Sequence, residues 1–270
     1  MKRLVVVGDS DIAFWPKEFL PSPTDDEWQQ PVVSGDSGAT LSEVLPHLRS
    51  VLARTTRSND DDDIKSSGNH GGGRATATTP DMLVVIACAG ENDIGEGLSL
   101  ERSVEALREF LDVVFRLDDS CNSNSGSDRR KKGDDDRFLI FLGPKFEPWL
   151  EHDPSYKKKY GAMTRAFQRC LQEYGAENCD TNNDEDNETK NSSATNDRIH
   201  FIDCLTMFCG ETATLPGARL GGRAKADPRF FASDQLHLSK EGYEIWKDVV
   251  ETKIRQCVSS SKSSSASAQK

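Results

Sequence analysis

Residues 82–93 read MLVVIACAGEND, an unbroken apolar run that ends abruptly at the polar tetrapeptide GEND. The run is rich in β-branched residues, does not alternate with polar ones and is far too short to cross a bilayer. Those features make it a strand covered on both faces, the mark of a parallel sheet. Four more short, bounded stretches have the same character: LVVV (4–7), PVV (31–33), FLIFLG (138–143) and IHFID (199–203). Segments of helical period lie between and after them: Leu41–Arg54, Leu100–Leu117 with Val104, Leu107, Leu111 and Val114 on one face, and Tyr156–Tyr174. A last helix follows Ser239, a side chain suited to an N-cap, and carries Ile245, Trp246, Val249 and Val250. Strand and helix in alternation predict an α/β chain: a doubly wound, parallel five-stranded sheet with right-handed crossovers, sandwiched between helices.

The composition narrows the function. Among 270 residues, 34 are Lys or Arg and 45 Asp or Glu, a net charge of -11, with a pI near 5.0. Such a balance repels phosphate backbones and anionic lipid surfaces, which argues against a nucleic-acid partner. No apolar run has the length of a membrane span, and LVVVG is too short for a signal peptide, so a soluble, intracellular, cytoplasmic protein is expected. The seven cysteines (Cys88, Cys121, Cys170, Cys179, Cys204, Cys209 and Cys257) are odd in number and form no CxxC pair. Reduced thiols are expected, and neither a disulfide framework nor a zinc site. The sequons at Asn187 and Asn191 would then stay unmodified.

Residues 57–80, 118–137 and 178–197, and the tail 258–270, are acidic or rich in Ser, Asn and Gly. With almost no apolar area to bury, they cannot offset the entropy of ordering, and disorder is expected. The run Asp60–Asp63 reads as solvated charge and not as a metal site. The remainder has the size of one domain, residues 1–257, with the insertions in connections between its elements.

In a parallel sheet the chemistry sits at the carboxyl ends of the strands. Ser10 stands there, in the turn after the first strand, and a serine hydroxyl needs a base to become a nucleophile. Of the five histidines, His70 lies in an insertion, His47 in the exposed part of a helix, His152 in an acidic loop and His200 inside a strand. His237 lies in FFASDQLHLSKEGY, just before the last helix, with Asp234 three residues earlier. A D-x-x-H turn can return the carboxylate to one ring nitrogen while the other faces the serine, although such pairs also cap helices. Asn92, at the end of its strand, can aim an amide N–H at a developing oxyanion, or serve as a turn or N-cap residue. A second GDS, in SGDSGAT (34–40), opens a helix and presents backbone N–H groups to an anion. A chymotrypsin-like reading of that stretch fails, because Gly-Pro does not follow and the scaffold is parallel α/β. The chain also lacks the G-x-S-x-G elbow of an α/β-hydrolase.

GDS near the start, SGAT after the second strand, GEND after the third and DQLH before the last helix together resemble the GDSL-type, or SGNH, esterase and acylhydrolase family. The likeness covers the ordered core, from Lys2 to about Arg255, and is greatest to small intracellular members. It implies a flavodoxin-like SGNH hydrolase fold and hydrolysis of a small-molecule ester through an acyl-enzyme, with neither cofactor nor metal. On this pattern Ser10 is the nucleophile, His237 the general base and then acid, and Asp234 its orienting partner. The backbone N–H groups of Ser10 and Gly38 and the amide of Asn92 form the oxyanion hole. Gly38 is preferred to Gly35 because SGAT, not SGDS, lines up with the family's second block. Asp9, Gly90 and Asp93 are expected to support the loops. Many relatives have Gly where this chain has Gln235. The competing expectation is a catalytically silent binding or scaffold protein on the same fold. Around the site, Ile12, Phe14, Trp15, Phe146 and Trp149 suggest an apolar rim, with Lys145 as a cation beside it.

Overall fold

The computed structural model of the chain describes residues 1–20, 28–55, 81–115, 136–177, 197–208 and 226–267. Apart from Asp136, Arg137 and Asp197, the three expected insertions lie outside these residues, and so do His70, both sequons, and Cys121, Cys179 and Cys209.

The elements in chain order are β1 (Lys2–Gly8), α1 (Ser10–Ala13), β2 (Val32–Gly35), α2 (Leu41–Thr55), β3 (Met82–Cys88), α3 (Glu91–Gly95), α4 (Leu100–Phe115), β4 (Arg137–Leu142), α5 (Pro154–Glu177), β5 (Ile199–Ile202), α6 (Cys204–Met207) and α7 (Lys240–Ser267). The strands form one five-stranded sheet in the order β2-β1-β3-β4-β5, and every pair is parallel. The doubly wound five-stranded α/β architecture expected from the apolar runs is therefore the one the chain adopts.

The steps β2 to β3, β3 to β4 and β4 to β5 all move the same way across the sheet. Right-handed crossovers then place α2, α4 and α5 on one face, where α4 packs between the other two. α7 lies over β3 and β4 from the opposite face. All seven residues of β3 are buried, as a strand covered on both sides must be. Beneath α4 and α5, Phe141 meets Phe110 edge-on at 6.5 Å and Phe167 at 5.6 Å. A fully buried ring such as Phe110 stabilises the fold by ~2–3 kcal/mol. Under α7 the fully buried Trp246 packs against Trp15 at 5.4 Å, Tyr243 at 6.0 Å and Phe208 at 6.3 Å.

Local chemistry sets the helix starts that matter for the site. At α2, Glu43 reaches back to accept the Thr40 N–H at 2.8 Å, the return half of a capping box. At α7, Ser239 Oγ accepts the Gly242 N–H at 3.2 Å, as an N-cap does. The tail expected to be disordered from Val258 is instead helical as far as Ser267. Cys257 is fully buried and Val258 packs against the core, and extending a helix beyond such an anchor needs no new nucleus. Among the described residues no helix is long and apolar enough to cross a membrane.

Candidate active site

Gly8 pairs with Gly35 on one side and with Cys88 on the other, so β2, β1 and β3 end level. The loops that follow them, carrying Gly38, Ser10 and Asn92, therefore leave the sheet side by side at its carboxyl edge. Ser10 is the first residue of α1, and Asp9 is its N-cap, with Oδ1 accepting the Asp11 N–H at 3.1 Å. The Asp9 N–H in turn holds the Cys88 carbonyl at 3.2 Å, which fastens the serine turn to β3. β2 runs so close to α1 that a Cβ on Gly35 would lie 2.2 Å from the Ala13 nitrogen.

Four of the backbone donors around the second GDS are committed. Asp36 N–H goes to the Gly8 carbonyl (3.0 Å) and Ala39 N–H to the Asp36 carbonyl (3.2 Å). Thr40 N–H goes to Glu43 and Leu41 N–H to Asp93 Oδ2 at 2.9 Å. The Gly38 N–H has no partner among the described residues. Its φ is 81°, a value that glycine adopts without strain. The Ser10 N–H is also free among the described residues, being an orphan donor of the first helical turn. Asn92 Nδ2 gives one hydrogen to the Ala39 carbonyl at 3.0 Å and keeps the other. Asp93, fully buried, ties the GEND loop to the start of α2, and Gly90 precedes α3 against the Phe167 ring.

His237 Nδ1 lies 2.7 Å from Asp234 Oδ2, while Asp234 Oδ1 accepts the Leu236 N–H at 2.9 Å and the His237 N–H at 3.0 Å. Desolvation pushes the Asp234 carboxyl up, but the hydrogen bonds from His237 and Leu236 outweigh it and hold the group at about 2. An ionised carboxylate only accepts, so Nδ1 carries the ring hydrogen that meets it. The ring stands edge-on to Phe14, the residue that closes α1, with centroids 4.9 Å apart. Tyr243 of α7 donates to the Asp11 carbonyl at 2.9 Å, and Trp15 stacks on Tyr243. The loop with the histidine is thus docked on the helix that Ser10 opens, and Ser10, Asp234 and His237 share one end of the sheet. Gln235 takes a φ of 60°, the left-handed region that glycine occupies at no steric cost.

One group of residues near the site was not expected. Lys145, 1% exposed, places Nζ 2.6 Å from Asp11 Oδ2, 2.7 Å from Glu91 Oε2 and 2.9 Å from Glu147 Oε1. Glu147 also accepts the Trp149 indole N–H. Desolvation lowers the Lys145 pKa, but the pull of Asp11, Glu147 and Glu91 outweighs it and the ammonium stays charged. Burial pushes Glu91 up to about 8 against the pull of Lys145, helped by the negative charge of Glu147. Desolvation raises Asp9 and Asp11 as well.

The expected rim needs correcting. Lys145 is not a cation at the mouth but a buried ion-pair centre, and Ile12, Trp15 and Phe146 belong to the core. Phe14, 53% exposed, remains, joined by Leu236 on the histidine loop. Of the other histidines, His47 is half-buried and bonded to Ser34, and His200 is half-buried in β5. Among the described residues, the grouping with metal-ligand spacing is Asp9, Asp11 and Cys88. Asp11 is engaged by Lys145, and burial holds the Cys88 thiol well above its ordinary range, which leaves a poor donor set.

No protein-family model matches the chain, and no curated protein matches it. Solved structures do. A GDSL-like lipase from Bacteroides thetaiotaomicron is 14% identical over 94% of this chain and 88% of that one, with a TM-score of 0.52. A carbohydrate acetylesterase family member from Sinorhizobium meliloti is 11% identical over 96% of this chain and 100% of that one, with a TM-score of 0.50. Likeness at such low identity is a likeness of backbone, and on that ground the chain has the α/β/α fold of the GDSL-like lipase.

Proposed function

We propose that the protein is a serine ester hydrolase that cleaves carboxylic esters of small molecules through an acyl-enzyme. The observation that carries this reading is the Asp234-bound imidazole of His237 set against the helix that Ser10 opens. His237 Nε2 takes the Ser10 Oγ proton as the oxygen attacks the ester carbonyl carbon, and the imidazolium is steadied by Asp234. The oxyanion accepts from the Ser10 and Gly38 N–H groups and the uncommitted Asn92 N–H. Collapse expels the alcohol, which leaves with the proton from His237. A water deprotonated by His237 then attacks the acyl group, and Ser10 regains its proton. The Ser10 hydroxyl makes no hydrogen bond among the described residues, and catalytic contacts of this kind commonly tighten only when substrate is bound. The fold shared with a lipase and an acetylesterase supports the reading, as do the exposed apolar side chains Phe14 and Leu236 beside the base.

The test is labelling with a fluorophosphonate probe, followed by hydrolysis of nitrophenyl esters of increasing acyl length. Wild-type protein should label and hydrolyse, and Ser10→Ala should do neither. Folded wild-type protein that takes up no probe would refute the hydrolase and favour a binding scaffold.

A further inference from the structure

Lys145 leaves the sheet just past β4 and spends every ammonium hydrogen on a carboxylate: Asp11, Glu91 and Glu147. Its own backbone N–H donates to Glu91 Oε1 at 2.7 Å, so Glu91 is gripped twice. Asp11 directly follows Ser10, and Glu91 directly precedes Asn92. The Asp11 carbonyl also receives the Tyr243 hydroxyl, which fastens to the same residue the helix that follows His237. Two loops from distant parts of the sequence are thus tied at one residue's remove from the groups proposed to react, and the helix after His237 is fastened to the first of them. Stability does not account for the arrangement, because a buried ion cluster rarely outperforms apolar side chains of similar volume.

We propose that Lys145 is a positioning residue, which sets the spacing between the Ser10 nucleophile and the Asn92 oxyanion donor by holding the neighbour of each on one buried ammonium. Glu147 secures the ammonium from the third side. The proposal rests on the ester-hydrolase reading. Displacing a reacting group by about 1 Å lowers the rate roughly a hundredfold without altering what the substrate rests on, so the loss belongs in kcat and not in KM.

The variants that test this are Glu91→Met, which keeps the chain length but removes both acceptors, Glu91→Gln, which keeps one, and Asp11→Ala. Each takes one carboxylate from a cluster with more acids than bases, a change the fold should tolerate. kcat and KM for a short nitrophenyl ester are measured per fluorophosphonate-titrated site, so that unfolded molecules are not counted, with a thermal melt of each variant. In Glu91→Met and Asp11→Ala, kcat should fall roughly 10- to 100-fold with KM changed by less than about threefold, and Glu91→Gln should lie between Glu91→Met and wild type. Wild-type kcat in both Glu91→Met and Asp11→Ala would overturn the proposal while leaving the hydrolase standing, and so would Glu91→Gln no better than Glu91→Met. Wild-type protein that neither labels nor hydrolyses would overturn both. Should Asp11→Ala fail to fold, the two Glu91 variants decide.

Discussion

Replacing Asn92 with alanine separates two duties of one amide. One N–H holds the Ala39 carbonyl at 3.0 Å and joins the GEND loop to the turn before α2; the other is the donor proposed for the oxyanion. Losing the first removes a neutral hydrogen bond at a half-buried position, ~1 kcal/mol. For a domain of this size that is a fall in Tm of roughly 2–4 °C. Losing the second removes a contact that matters only when charge develops on the substrate oxygen, ~3–4 kcal/mol of transition-state stabilisation, or roughly a 10²- to 10³-fold drop in kcat. The two losses appear in different experiments. Thermal melting reads the first, and kcat for a nitrophenyl ester per titrated site reads the second, with KM little changed. Asn92→Asp should be worse on both counts, since a carboxylate cannot donate to Ala39 and sets negative charge where the oxyanion forms. A kcat for Asn92→Ala within about threefold of wild type would refute the assignment of this side chain to the oxyanion hole.

Further expectations follow from other contacts. Asp234→Asn presents an amide where Nδ1 needs an acceptor, so the ring can turn to the wrong tautomer. kcat should drop by roughly three to four orders of magnitude with the Tm almost unchanged, and a loss under about tenfold would count against the relay. Gly35→Ala drives a methyl into the Ala13 backbone, which cannot swing aside as a side chain could. Stability should fall by ~1–3 kcal/mol on denaturant titration, with kcat falling too as α1 shifts; an unchanged midpoint would refute the close approach. Glu91, raised to about 8 in the fold from 4.5, keeps a proton that the unfolded chain loses over that interval. Its stabilising contribution is complete below about 4.5 and disappears as pH rises to about 8, so Tm should fall between those values, and less steeply in Glu91→Gln. A Tm that climbs across the same interval would refute this.

The sheet was legible because buried parallel strands have no polar face to write, so MLVVIAC and FLIFLG stand out as unbroken apolar runs. The positions of Ser10, Asn92 and His237 were legible because each sits next to a strand end or a helix start that those runs had already located. The four- and five-residue helices α1, α3 and α6 left no trace, being shorter than the window in which helical period can be seen. Lys145 was misread for a different reason. Lysine is ordinarily exposed, and two of the three carboxylates that hold it lie 134 and 54 positions away, at Asp11 and Glu91, beyond any local pattern. Nothing within GPKFEPW distinguishes a rim cation from the centre of an ion cluster.

The bond from Tyr243 to the Asp11 carbonyl spans 232 positions of sequence. A ribosome adding 5–20 residues per second needs roughly 10–50 s to make the stretch between them. Throughout that time the turn that carries Ser10 can form on its strand, but the imidazole proposed to activate it has yet to be made. On the proposed hydrolase reading, a nascent chain stalled before the histidine loop would carry a serine no more reactive than any other alcohol, and ester hydrolysis would report that the loop has been both made and docked.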